Sequence, residues 1–432
     1  MFVSFFPRPK LLFASFCVWS LLGILFWYFA AQSWGPTFSL GNLIGYGMPA
    51  PLAADADNSA RALFEAQASA AQTFWFYQYF IVAIVLFVGA WMRLSPHPWQ
   101  RWSLAGSGLL VVVDWFLVQL DVMINVWFGT FYDMVQKALG KPGAIEPAEY
   151  YWQIVTFLKI ALVYVFVATL FRFFVSHYIF RWRTAMNNYY MHYWERLRPI
   201  EGASQRVQED TMRFATITEG LGVSLLDSIM TLIAFLPLLW VLSGKVRELP
   251  VVGEVSQGLV FVAILWSIVG TAIVAVAGVK LPGLQFLNQR VEAAYRKELV
   301  YGEDSGDRAQ PPTMRELFEN IRRNYFRLYF HYMYFNVVRI FYLQIGNLVP
   351  YIALGPTIIS GAITLGVMQQ IIRAFGKVES SFQYLINSWT TIVELLSVHK
   401  RLKAFEATIR GEPLPDIDQR YLEAREQVVD RA

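Results

Sequence analysis

Glu219 stands where a polar, arginine-bearing stretch, 200–210, gives way to the apolar run 221–242. A carboxylate at such a boundary has two readings. It can be a first-turn acid favoured by the positive end of a helix dipole, or an acid that carries protons through a membrane protein. Further acids fall inside apolar runs. Asp114 and Asp121 are seven residues apart, two helical turns, and so share one helical face; Asp227 follows Glu219 by eight and lies on roughly the same face as it. Glu394 comes beyond the last apolar run, and Lys159 is an intramembrane base able to pair with any of these acids. A charge in hydrocarbon costs at least about 2.5 kcal/mol on insertion scales, so each should face a partner or a water-filled cavity. A structural Asp114–Lys159 pair is the bland alternative to a functional one.

The elements that must position these acids follow from composition. Hydrophobic residues make up 56% and charged residues 16% of the 432-residue chain, against about 45–50% and about 25% in soluble domains. A soluble core has no room for that excess. A spanning helix needs about 20 mostly apolar residues, and eight runs qualify: 11–31, 74–92, 104–127, 152–174, 221–242, 260–279, 332–354 and 358 to about 375. Arg339 interrupts the seventh, and Gly361 and Gly366 dilute the eighth. Trp27, Tyr28, Trp75, Tyr77, Trp127 and Phe128 sit near the ends of runs, as an interfacial aromatic belt requires.

Arg8, Lys10, Arg93, Arg101, the arginines within 172–213 and 290–327, and those from Arg373 onward fall on one face. The opposite loops hold Asp55, Asp57, Glu65, Asp133, Glu146 and Glu149, with Lys245 and Arg247 as the modest exception. The positive-inside rule makes the basic face cytoplasmic, and an even span count puts both termini there. This charge asymmetry also explains the net charge of +4 without nucleic acid. The first run is too long for the apolar region of a signal peptide, so an uncleaved helix is expected.

Two cytoplasmic segments are long, 177–220 and 280–331, and their aromatic and aliphatic residues recur at helical spacing. Both should extend the membrane helices. A break is expected at 302–312, where glycines and prolines mix with charge, and Thr313 to Glu316 would restart a helix as a capping box. Residues 1–103 form a two-helix extension with a loop on the far side, 104–401 the main membrane domain, and 402–432 a solvated tail.

Several chemistries are not expected. A phosphate-binding loop needs Gly-Lys followed by Ser or Thr, but Gly140-Lys141, Gly244-Lys245 and Gly376-Lys377 are followed by Pro142, Val246 and Val378. The stretch after the last run is too short for an ATPase domain, so neither ATP hydrolysis nor another enzymatic activity is expected. The five histidines are scattered and the lone Cys17 allows no disulfide, so no metal site or cofactor is expected.

The stretches Ser176-His177-Tyr178-Ile179-Phe180-Arg181-Trp182-Arg183, Arg206-Val207-Gln208-Glu209-Asp210-Thr211-Met212-Arg213-Phe214, Asn288-Gln289-Arg290-Val291-Glu292-Ala293-Ala294-Tyr295, Tyr301-Gly302-Glu303-Asp304 and Gln383-Tyr384-Leu385-Ile386-Asn387-Ser388-Trp389 resemble the SbmA/BacA family of bacterial peptide transporters. The likeness covers nearly the whole chain apart from 33–72 and the tail. It implies an all-α integral membrane homodimer, with a six-helix core like the membrane half of an ABC exporter, two added N-terminal helices and no ATPase. It further implies proton-driven import of peptides across the bacterial inner membrane by alternating access, with antimicrobial peptides, modified microcins and bleomycin-like glycopeptides as cargo. In the family's BacA branch it also implies an effect on very-long-chain fatty acids of lipid A. Partners are then the second copy, peptides, protons and the bilayer. By motif position the family's cavity glutamates fall on Glu209, Glu219, Glu292 and Glu303, and a cavity tyrosine on Tyr132. Asp121 and Asp227 rank below them as cavity residues. A partly desolvated carboxylate can load and release protons near neutral pH, which suits these positions. The alternative is an ABC-like half that recruits a separate ATPase to move lipid or fatty acyl substrates.

Overall fold

Apolar runs this long can leave no backbone amide or carbonyl unsatisfied in hydrocarbon, and an uninterrupted helix meets that demand within one segment. The computed structural model describes residues 1–50, 57–200, 203–246, 248–250, 253–255 and 257–412. They form eleven main helices: α1 (Pro9–Phe29), α2 (Asn58–Leu94), α3 (Ser107–Gly140), α4 (Pro147–His192), α5 (Thr211–Ser243), α6 (Gly258–Gly278), α7 (Leu281–Asp304), α8 (Pro311–Gly346), α9 (Val349–Ile359), α10 (Leu365–Asn387) and α11 (Trp389–Arg410). π-Helical turns at Arg101–Gly106 and Arg206–Asp210 lead into α3 and α5. One two-residue hairpin, Glu248–Leu249 with Gly253–Glu254, lies between α5 and α6. The fold is all-α.

Seven stretches among the described residues are long and apolar enough to cross a membrane: Pro9–Phe29, Leu63–Leu94, Arg101–Gly140, Pro147–His192, Ala203–Ser243, Gly258–Gln285 and Pro311–Ile359. They account for the first seven expected runs. Their outer faces stay apolar, as Leu162, Phe166 and Phe173 on α4 do with about two thirds of each side chain uncovered. Such faces belong against lipid.

The eighth expected run, 358 to about 375, is not one helix. α9 ends at Ile359, the chain turns through 360–364 with Gly361 at φ +69°, and α10 starts at Leu365. A positive φ is cheap only for a residue without a Cβ, which fits glycine at the turn. α10 then runs antiparallel to α3. Gln136 accepts from the Leu365 amide, Asp133 accepts from the Gly366 amide at 2.8 Å, and Lys377 reaches Asp121. It is therefore the return limb after α8 and α9. Its composition hides this because Gln370, Arg373 and Lys377 line one face while Ile371, Ala374, Phe375 and Val378 are fully buried on the other.

The long cytoplasmic segments are largely helical. α4 continues to His192 before the chain breaks, and α7 and α8 form an antiparallel hairpin joined by 305–310, inside the expected break. The capping box at Thr313 is not the start of α8. The helix begins two residues earlier, with Pro311 and Pro312 in its first turn, where a missing amide hydrogen costs nothing. The segment from Leu402 to Arg410 is not a solvated tail either. It continues α11, with Leu402 and Phe405 fully buried.

The chain divides into two compact units. The first takes residues 1–113, 171–215 and the segment from 401. There Trp182 is boxed in by Phe2, Phe5, Phe6 and Phe214 at ring separations of 5.2–5.7 Å. Buried Tyr190 donates to Glu406 at 2.8 Å, and Arg401 grips buried Asp210 through two bonds of 2.7 and 3.0 Å. The second unit takes 114–170 and 216–400. Its core gathers Val118 of α3, Phe235 and Leu239 of α5, Leu259 and Ala263 of α6, Leu354 of α9, and the buried stripe of α10.

Candidate transport site

Within the second unit, α3, α5 and α10 bring ionisable side chains together where their apolar stripes pack. The α3 stripe is Asp114, Asp121, Asn125, Phe128 and Tyr132, a set of helical neighbours that face one direction. From α10, Lys377 Nζ meets Asp121 Oδ2 at 2.5 Å, and the Arg373 guanidinium lies 4.0 Å over the Phe128 ring. Phe128 and Tyr132 stack at 5.9 Å, and Tyr132 and Asp121 both lie within electrostatic reach of Arg373. From α5, Asp227 is exposed and lies within electrostatic reach of Asp114, Asp121 and Lys377. The sequence-predicted residues Asp121, Asp227 and Tyr132 are thus neighbours of one cluster.

Two members of the stripe are unsatisfied. Asp114 is 2% exposed and its Oδ2 has no hydrogen-bond partner; Asn125 is 1% exposed and neither atom of its amide has one. A second buried acid, Glu379 of α10, is satisfied by contrast. Trp266 Nε1 and Gln383 Nε2 both donate to its Oε1 at 2.9 Å.

The four glutamates fall at helix positions of differing exposure. Glu209, in the π-helical turn before α5, is half-buried, accepts from Gln205 at 3.0 Å and pairs with Arg213 at 2.9 Å. Glu219 is half-buried in the third turn of α5. It is therefore inside the helix, and the first-turn dipole reading loses its basis, because that effect fades within the first turn. Glu292 is half-buried and Glu303 exposed; both lie on α7, eleven residues apart and so on one face. Next to Glu292, α7 and α8 border an open cleft of about 500 Å³ lined by Leu287, Val291, Arg323 and Arg327 among others.

Lys159 is not the partner of the intramembrane acids. Its ammonium lies 4.6 Å over the Trp152 ring, two helical turns away on α4, where a cation gains from the negative face of the aromatic. The base that does the pairing is Lys377, which sequence reasoning passed over. Its signal was present: Gln370, Arg373 and Lys377 recur at helical spacing, which marks a polar stripe on a buried helix.

The second unit thus gathers ionisable side chains of three of its helices in one cluster, and no metal-binding group of His, Cys, Asp or Glu occurs among the described residues. The family model of the SbmA/BacA-like family matches residues 96–410, and the chain belongs to that family; with its apolar helices this makes it a multi-pass membrane protein. It is 23% identical over 357 residues to the inner membrane ABC transporter ATP-binding protein YddA of Escherichia coli, covering 77% of this chain and 63% of that one. An ABC transporter ATP-binding protein of Synechocystis is 24% identical, with 76% of this chain and 50% of that one covered. The chloroplastic ABC transporter D family member 2 of Arabidopsis thaliana is 23% identical, with 52% and 33% covered. The chain spans no more than about two thirds of the length of these relatives.

Proposed function

We propose that the protein is a homodimeric importer of peptides across the bacterial inner membrane, driven by the proton gradient through alternating access. The observation that carries this reading is the family match, which takes in every one of Glu209, Glu219, Glu292 and Glu303. Their chemistry supports it. Glu219 and Glu292 are half-buried carboxylates on long helices, and a group that is partly withdrawn from water can bind and release a proton as its surroundings change. Carboxylates on the transport path would also attract cationic peptides over distance, without specific contacts, which suits broad cargo. Inner-membrane residence and cytoplasmic termini follow from the basic face of the sequence.

The second reading is an ABC-like membrane half that works with a separate ATPase on lipid or fatty acyl substrates. It is favoured by the relatives named as ATP-binding proteins, whose sequences extend beyond the part this chain covers. Sealed liposomes carrying the purified protein separate the two. Uptake of a fluorescent proline-rich peptide under an imposed pH gradient, without nucleotide and abolished by a protonophore, is the expected result. Uptake that ignores the gradient and needs an added ATPase overturns the importer reading.

A further inference from the structure

The cluster on α3, α5 and α10 is not absorbed by the four glutamates. It holds three carboxylates, Asp114, Asp121 and Asp227, against two cations, Lys377 and Arg373, so one negative charge is in excess. Lys377 is engaged by Asp121 at 2.5 Å, and Arg373 is drawn over Phe128 with Tyr132 beside it. Asp114 lies deepest, 2% exposed, with Oδ2 bonded to nothing and with no ion pair among the described residues. The nearest uncommitted amide on the same stripe, that of Asn125, is equally buried and equally unbonded.

With Oδ2 cut off from water, without a hydrogen bond and without a counter-ion among the described residues, the Asp114 carboxylate is costly to keep as an anion. Removing the charge requires a ligand. Asp114 has no cation paired with it among the described residues, which leaves a proton as the simplest ligand. Asp227, nearby on α5, is exposed, so the neighbourhood joins a buried acid to an open one. We infer that Asp114 holds a proton in the resting protein and exchanges it with the outside through Asp227, forming a second proton site apart from the four glutamates. The step is a simple transfer. The O–H bond of Asp114 breaks, the proton passes through an intervening water to form one on the Asp227 carboxylate, and the negative charge moves to Asp114, in the cluster that also holds Lys377 and Arg373. Asp227 then gives the proton to water. In the reverse direction the same pair reloads Asp114. Glu379, the other buried acid of α10, takes no part because Trp266 and Gln383 already satisfy it.

This inference rests on the proton-coupled reading above, and its test does not depend on transport. Infrared difference spectra of the full chain in lipid bilayers report protonated carboxyl groups directly. The wild type is expected to show such a band at neutral pH. Asp114→Asn should remove it, Asp114→Glu should keep it in shifted form, and Asp121→Asn should leave it. In Asp227→Asn the band should persist while its exchange with deuterated buffer slows by about a hundredfold, the scale on which a positioned acid or base acts. A wild type without the band, a band that survives Asp114→Asn, or exchange unchanged in Asp227→Asn overturns the proposal. So does loss of the band when sodium replaces potassium at constant pH, since a metal ion would then be the occupant. Should Asp114→Asn fail to fold, Asp114→Glu and Asp227→Asn decide the matter. A wild type that shows the band but no gradient-driven peptide uptake defeats the importer reading and leaves the proton site standing.

Discussion

At the scale of single residues, what distinguishes the acids is the company each keeps. Glu219 lies in the third turn of α5, beyond the reach of the helix dipole. Glu219→Gln keeps size and shape and removes only the capacity to ionise. It is expected to leave the protein folded, by an unchanged gel-filtration profile, and to make cells resistant to imported toxic peptides; undiminished sensitivity rejects the role. Lys377 tells a different story. It and Asp121 are both about a quarter to a third exposed, so water screens the pair and its worth falls below that of a fully buried one. Lys377→Met is expected to cost about 1–3 kcal/mol by leaving Asp121 unpaired. The double variant with Asp121→Asn should recover most of that in a detergent melting curve. If the double variant is as unstable as the sum of the singles, the pair contributes nothing. Glu209, Glu219, Glu292 and Glu303 stood out by motif, whereas Asp114 could be read from sequence only as an acid in need of a partner. Its isolation depends on which base α10 delivers and where, and that is a property of packing.

At the scale of elements, α10 and α11 are the informative pair. α10 reads from sequence as a weak span because the apolar signal of a membrane helix presumes lipid on one side. α10 spends its polar stripe on α3 and its apolar stripe on the core, and so carries Gln370, Arg373 and Lys377 without exposing them to lipid. The end of α11, from Leu402 to Arg410, reads from sequence as a solvated tail for a related reason. Its charges suggested solvent, yet Arg401 is the clamp on Asp210, which is 3% exposed, and Glu406 receives Tyr190. Breaking a bidentate pair with one partner buried strands a carboxylate. Arg401→Ala is expected to cost about 3 kcal/mol and to loosen the end of α11. Limited trypsin digestion should gain a cut at Lys403; an unaltered digestion pattern would show that Leu402 and Phe405 hold the segment without the clamp. The seven apolar helices were legible because length and hydropathy alone define them, while turns such as 360–364 and the start of α8 were not, being set by a glycine and by proline tolerance.

At the scale of the molecule, the orientation of the bundle ties every site to a side of the membrane. The basic residues crowd the loops that join α2 to α3 and α4 to α5, and the α7–α8 hairpin, so those should be cytoplasmic and the α3–α4 turn should face outward. α10 matters here because its return alongside α3, from Gln136 to Asp121, brings the chain back after α8 and α9. If α10 makes the last crossing, the count becomes even, and Glu209, Glu292 and Glu303 are expected on the same side as both ends. The lone cysteine makes this testable: in a Cys17→Ser background, single cysteines at Glu146, in the α3–α4 turn, and at Ser305, between α7 and α8, each report one side. A membrane-impermeant maleimide applied to intact spheroplasts is expected to label Glu146→Cys and to spare Ser305→Cys until the membrane is opened. Labelling of Ser305→Cys in sealed spheroplasts would invert the bundle, place the glutamates of α7 outside, and turn the direction of proton-driven uptake into export.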